Sequence, residues 1–314
     1  MILVCGEALF DVFRAATRRD GLTLDARPGG SPLNVAVGLA RLGQPAGLWS
    51  GVSRDWLGEH LVGTLAAAGV DTTWLHRLPR PQTMSYISLD DAGDPAFAIY
   101  GEGAADRALS PADVPEDLRG VEAVHTGSFA AVVEPVASAQ AALLARVPEE
   151  TVVSFDPNVR LAVEPETARW RQRADAVAGR ADIIKASEAD LAHLYPDTPA
   201  DEIAAAWRAS GAALVVVTHG ERGATAWGPD GRVDAAPAAT TVADTVGAGD
   251  AFQAALLAGL AETGRLDRDG LRRLTAGEVS ALLAFAGAAA AHSVARRGAA
   301  MPQRHELPAM ERGA

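Results

Sequence analysis

The sequence predicts an α/β fold, with a mainly parallel central sheet flanked by helices and a small accessory β-sheet beside it. Short apolar runs alternate with longer amphipathic stretches along most of the chain, as βα units require. Two stretches, 8–27 and 83–99, break that rhythm with strand-like alternation. The composition fits a packed protein: of 314 residues, 48% are apolar and 22% charged, with ample core for one large domain.

Taken in order, residues 2–4 read as the first buried strand, and the alternation of 8–27 as the first insertion. Residues 33–42 have helical spacing behind Ser31-Pro32, which suit an N-cap and a first helical turn. A strand at 46–52 and a helix at 57–68 follow. The second insertion carries Met84, Tyr86, Ile87 and Leu89 in near alternation, with a turn cluster at 91–95. Strands are then expected at 123–124, 151–155, 182–184 and 213–217, separated by helices at 136–146, 167–178 and 203–210. A short β-like run at 240–243 leads into an apolar helix at 251–260. Residues from Pro302 onward are polar and read as a loosely ordered tail. The chain thus reads as a single domain over 1–314, with a lid formed by two insertions, 8–28 and 82–107.

Charge and cysteine content exclude several functions. The formal net charge is −12, which argues against a nucleic-acid partner or an anionic membrane surface. Lys185 is the only lysine and follows Ile184, so no Gly-Lys-[Ser/Thr] phosphate loop exists. Cys5 is the only cysteine, which removes disulfides and Cys-based zinc sites. The N-terminus lacks a basic region and meets Glu7 too early for a signal peptide. The most apolar stretch, 281–291, is shorter than the roughly 20 residues a membrane span needs. The cytoplasm is the expected compartment.

The segment Asp244-Thr245-Val246-Gly247-Ala248-Gly249-Asp250 carries the most chemistry. Small residues before a helix leave backbone N–H groups unpaired, and with the helix dipole they form an anion site. Asp250 then places a carboxylate beside that anion, where a general base would stand during phosphoryl transfer. Read locally, an ordinary Gly-rich helix start explains the segment as well.

Residues 244–256 resemble the C-terminal signature of the ribokinase-like (PfkB) carbohydrate kinases. Gly29-Gly30-Ser31-Pro32-Leu33-Asn34-Val35-Ala36 with Gly43 resembles their N-terminal signature, although Ser53 stands where the family pattern has glycine. The resemblance covers nearly the whole chain. It implies a ribokinase-like three-layer fold with a β-sheet lid, and ATP and Mg²⁺ as cofactors. It implies that Asp250 is the catalytic base, with Gly247, Ala248 and Gly249 as its anion hole. Asp11, Gly29, Gly30 and Asn34 match sugar-contacting positions. Asp156-Pro157-Asn158-Val159-Arg160 resembles a segment of fructokinases and 2-keto-3-deoxygluconate kinases, making Arg160 a candidate for a carboxylate, a sugar oxygen or the transferring phosphate. Lys185 and Ser187 fall at the nucleotide side. Asp190 stands where the family has a glutamate that organises magnesium through water, and with Ser187 it could equally form a capping box. Thr218, Gly220 and Gly223 resemble the nucleotide loop, and Asp244 matches a position that binds a monovalent cation, K⁺.

Tyr100 to Arg107 resembles a lid segment of bacterial fructokinases, with Tyr100 as an apolar wall and Arg107 as a polar contact. The resemblance therefore implies fructose as acceptor, with 2-keto-3-deoxygluconate, another sugar or a nucleoside as alternatives. A non-catalytic sugar-binding regulator is the reading from a different class. A homodimer through the lid is expected if its strands expose apolar residues.

Overall fold

A computed structural model describes residues 1–89 and 95–310, so 91–94 of the turn cluster expected at 91–95 lie outside the described residues. In chain order the strands are β1 (Ile2–Cys5), β2 (Leu9–Arg18), β3 (Gly21–Gly29), β4 (Ala46–Ser53), β5 (Leu75–Leu78), β6 (Met84–Leu89) and β7 (Pro95–Tyr100). They continue as β8 (Ala123–Gly127), β9 (Val152–Asp156), β10 (Ile183–Ser187), β11 (Leu214–Thr218), β12 (Ala224–Gly228) and β13 (Gly231–Ala235). The helices are α1 (Ser31–Arg41), α2 (Trp56–Ala67), α3 (Val136–Arg146), α4 (Thr167–Ala178), α5 (Glu188–Leu194), α6 (Ala200–Ala209), α7 (Ala248–Glu262), α8 (Arg268–Arg272) and α9 (Ala276–Val294).

The larger sheet runs β13-β12-β11-β10-β9-β8-β1-β4-β5. Every pair from β5 to β11 is parallel, and β12 and β13 close one edge as an antiparallel hairpin. Alternating strand residues feed two cores. Ile2 and Val4 pack with α1, α2, α7 and α9 on one face, whereas Leu3 and Cys5 pack with α3, α4, α5 and α6 on the other. The chain leaves β1 for β4 on one side and later reaches β8 on the other. This reversal opens a crevice at the carboxyl ends of β1 and β8, where open α/β sheets collect ligands.

The second sheet runs β3-β2-β6-β7, with β2 parallel to β6 and both hairpins antiparallel. Its root is fixed by Gln82, which accepts from the Ser53 N–H and donates to the Ala8 carbonyl. Ser53, where the family pattern has glycine, is accommodated as a fully buried strand end.

Two expectations are corrected. Residues 240–243 form no strand; the N–H groups of Ala243 and Asp244 instead donate to the Val294 carbonyl at 2.7 and 3.1 Å. They thereby satisfy a carbonyl left free at the end of α9. The tail is docked as far as Met310: Met301 and Leu307 are buried, and Arg304 pairs with Glu262 at 2.6 Å while stacking over Phe285. Helix α9 is long and apolar enough to cross a membrane by length and composition, but Val279, Leu282, Leu283, Phe285 and Ala286 are buried and join the core that α7 also lines.

Candidate active site

The start of α7 faces the crevice. Gly247 takes a left-handed φ of 79°, and a Cβ there would lie 2.6 Å from that of Ala299, so only glycine fits. Gly247 is the N-cap of α7, and Ala248 and Gly249 open its first turn, with the Ala248 N–H closing back on the Thr245 carbonyl at 3.3 Å. The remaining first-turn N–H groups lack intrahelical partners and offer an anion site. Asp250 follows in that turn. The Ser31 hydroxyl donates to one of its oxygens at 2.6 Å and the Asn34 amide to the other at 2.8 Å. This corrects the role expected for Ser31: Gly30 is the N-cap of α1, and the Ser31 side chain orients Asp250 instead of capping its own helix. Asn34, expected against the sugar, donates one of its two amide N–H groups to the same carboxylate.

Asp11 enters from the lid. Burial pushes its carboxyl up to about 6 despite a hydrogen bond from Ser85, and the negative charge of Asp250 pushes the same way. The two carboxylates therefore share one electrostatic environment, which Arg160 also reaches. Gly29 and Gly30 border it closely. A Cβ at Gly29 would lie 2.2 Å from Asp11 Oδ2, and one at Gly30 would lie 2.9 Å from the Glu7 carbonyl oxygen. Arg160 is exposed, its hydrogen bonds go to the carbonyls of Val159 and Asn158, and among the described residues no carboxylate pairs with its guanidinium. Arg107 is half-buried with its guanidinium 4.8 Å over the Phe129 ring. Tyr100 is 68% exposed and stands edge-on to Tyr86, at the margin of the lid.

Behind the helix start lies a buried ion pair. Lys185 Nζ is 2.7 Å from Asp156 Oδ2, and both side chains are 4% exposed. Burial pushes the Asp156 carboxyl up to about 6 even with Lys185 opposing. Burial also works against charge on Lys185, but Asp156, Asp190 and Asp250 outweigh it and hold the ammonium above its ordinary value. A Cβ at Gly249 would come within 3.1 Å of Nζ. Lys185 therefore lies behind the first turn of α7, within β10.

Ser187 and Asp190 form the capping box of α5. Asp190 also accepts the Val159 N–H at 2.7 Å, which ties the Arg160 loop to that helix. Thr218 ends β11, and the loop beyond it turns through Gly220 and Gly223, both at positive φ. A Cβ at Gly223 would meet the Ala235 carbonyl at 2.1 Å. His219 is held by the Thr225 hydroxyl at 3.0 Å, consistent with a turn role. Asp244 accepts N–H groups from Val246 and Gly298, joining the α7 loop to the loop after α9.

Sequence reading missed Ser31 as the orienting group, together with Glu7, Ser85, Asp106 and Ser128. Ser31 and Asp106 stood inside the segments 29–36 and 100–107 singled out above, but their partners at the site come only from the packing of distant elements.

Comparison with known proteins gives the following similarities. The pfkB family carbohydrate kinase model matches residues 1–306. A fructokinase of Rhizobium leguminosarum bv. trifolii is 37% identical over 260 residues, covering 83% of this chain and 79% of that protein. A fructokinase from Xylella fastidiosa with bound ATP superposes with a TM-score of 0.83 at 25% identity, covering 98% of this chain and 94% of the other. A fructokinase of Vibrio cholerae O395 in its fructose, ADP and calcium ion bound form gives 0.79 at 28% identity, over 96% and 95% of the two chains.

Proposed function

The chain belongs to the pfkB family of carbohydrate kinases, and from that membership we propose that it transfers the γ-phosphate of ATP to a terminal hydroxyl of fructose, with Asp250 as general base. The observation that carries this reading is the Asp250 carboxylate, fixed by Ser31 and Asn34 at the start of α7 and facing Asp11 across the crevice.

The sugar sits against Asp11, whose carboxylate accepts two hydroxyl donors, and against the Gly29-Gly30 turn. Asp250 takes the proton of the attacking hydroxyl. The N–H groups of the α7 turn receive the transferring phosphoryl oxygens, with Lys185 adding positive charge from beneath. ATP lies across the ends of β10 and β11 and the turn at Gly247. Lid closure over the sugar excludes water, the competing acceptor.

Among the described residues no cluster of three His, Cys, Asp or Glu side chains could hold a metal ion. Magnesium is therefore proposed to arrive on the nucleotide, held chiefly by phosphates and water, with Asp190 contributing only through water. When bound, it would neutralise phosphate charge during transfer. A monovalent cation at Asp244 is the corresponding finer proposal, tested by comparing turnover in potassium and tetramethylammonium salts. Leu22 and Leu24, 63% and 45% exposed on the edge strand β3, support a homodimer through the lid.

The exposed Arg160 favours one second reading, an acidic acceptor such as 2-keto-3-deoxygluconate. ATP consumption measured with fructose, 2-keto-3-deoxygluconate, ribose and adenosine decides between them. A preference for fructose in kcat/KM supports the proposal, preference for the keto acid transfers it to the second reading, and a flat response to every acceptor overturns both.

A further inference from the structure

Four buried polar atoms on three residues that act on one another electrostatically lack hydrogen-bond partners. They are Glu7 Oε2, Asp106 Oδ2, and Nε and Nη2 of Arg107. Glu7 is 1% exposed and Asp106 fully buried. Buried polar groups in folded proteins are nearly always satisfied, so four orphans on interacting residues call for a missing guest. The charges nevertheless act on one another: Arg107 is within electrostatic reach of both Asp106 and Glu7. Among the described residues Arg107 makes no ion pair, so the opposite charges face each other across a gap.

The surroundings place that gap at the ligand crevice. Glu7 follows β1 and Ser128 follows β8, the two strands that flank the switch point. Ser128 holds a positive φ of 54°, a conformation non-glycine residues avoid and functional sites retain, and its side chain offsets part of the burial that raises the Glu7 carboxyl. A Cβ at Gly30 would come within 3.2 Å of Glu7 Cγ, so Glu7 lies directly under the turn that borders the acceptor. Arg160 and Asp106 are the other charges that reach Glu7. A carboxylate and a guanidinium facing across a gap suit a hydroxyl group, which donates to one and accepts from the other.

Resting on the kinase reading above, we propose that Glu7 is a specificity-determining residue: with Arg107 it binds a hydroxyl of the acceptor sugar other than the one phosphorylated. Asp106 and Ser128 position the pair. A hydroxyl missing from the sugar would then leave these groups unpaired, and the enzyme would reject it.

The test compares wild type, Glu7→Gln and Glu7→Ala on the preferred sugar of the panel and on its monodeoxy analogues. The expected result is a sugar KM raised roughly tenfold or more in both variants, with the KM for ATP held within about twofold. For one monodeoxy analogue, the Glu7→Ala loss and the deoxygenation loss should be non-additive, because both remove the same hydrogen bond. A sugar KM within about twofold of wild type in Glu7→Gln, or additivity for every analogue, overturns the proposal and leaves the gap to ordered water. If thermal melting shows that the Glu7 variants do not fold, Arg107→Lys is held to the same two criteria. Wild type inactive on every sugar sinks the kinase reading itself, whereas an active wild type with indifferent variants sinks this inference alone.

Discussion

Replacing Lys185 by Met tests the buried pair beneath the anion turn. Asp156 is 2% exposed, and without Lys185 its charge would be left uncompensated in the interior. Breaking such a pair costs about 3–5 kcal/mol. Part of that cost is set by linkage: the uncompensated carboxyl escapes by staying protonated, and against the wild-type carboxyl at about 6 this amounts to about 1.4 kcal/mol at pH 7. The sign of the pH dependence follows. In wild type the Asp156 carboxyl sits at about 6, so its contribution stops changing once pH passes that value. In Lys185→Met the folded carboxyl titrates higher still, so the variant keeps losing stability as pH rises further. The gap between the two proteins should widen above pH 6 by up to about 1.4 kcal/mol per unit. Urea unfolding followed by circular dichroism at three pH values measures this, and Asp156→Asn in the Lys185→Met background should restore much of the loss. A deficit below about 1 kcal/mol at pH 7, a deficit constant with pH, or no rescue by the second substitution would refute the reasoning.

Other outcomes follow from the same geometry. Gly247→Ala combines a φ of 79° with contact at 2.6 Å to Ala299 Cβ; it should destabilise by at least about 1 kcal/mol in thermal melts and cut kcat. Burial holds Glu7 up to about 7, and Asp11 and Asp106 up to about 6, so the folded chain binds excess protons between their unfolded and folded values. Ligand-free stability from these groups is therefore present below about pH 4 and lost as pH climbs through 6 to 7. His125, buried and pulled down to about 3, opposes them with a smaller share. The midpoint of melting should fall between pH 5 and pH 8, and Glu7→Gln should flatten that fall. Arg304→Ala removes the tail's ion pair to Glu262 and its cover over Phe285, and should lower the melting temperature by a few degrees, read by calorimetry.

Much of the fold was legible because buried parallel strands are continuous apolar runs. Helices at 136–146 and 167–178 have the bounds that the spacing predicts. The hairpin of β12 and β13 was missed although Pro229-Asp230-Gly231 is a turn signal; its strands are partly polar and lie at an edge. The tail was misread because a few apolar side chains, Met301 and Leu307, dock it where average polarity suggests disorder. The start of α7 at Gly247 to Asp250 was legible because a Gly-rich helix start is a local device. Ser31 was misassigned because local rules send a serine before Pro32 to its own helix. Its acceptor, 219 positions away, exists only once α1 and α7 pack together. Glu7, Asp106 and Ser128 needed the sheet order itself, since β1 and β8 become neighbours only through the switch in topology.

The proposed role of Asp250 is that of the base that activates the sugar hydroxyl. In Asp250→Asn the amide oxygen can still accept from Asn34 and its N–H₂ can donate to the Ser31 hydroxyl, so the fold should persist. Steady-state turnover with ATP and fructose should then drop by roughly 10²–10⁴ while the melting temperature stays near wild type. A folded Asp250→Asn enzyme that retains near-native kcat would contradict the account.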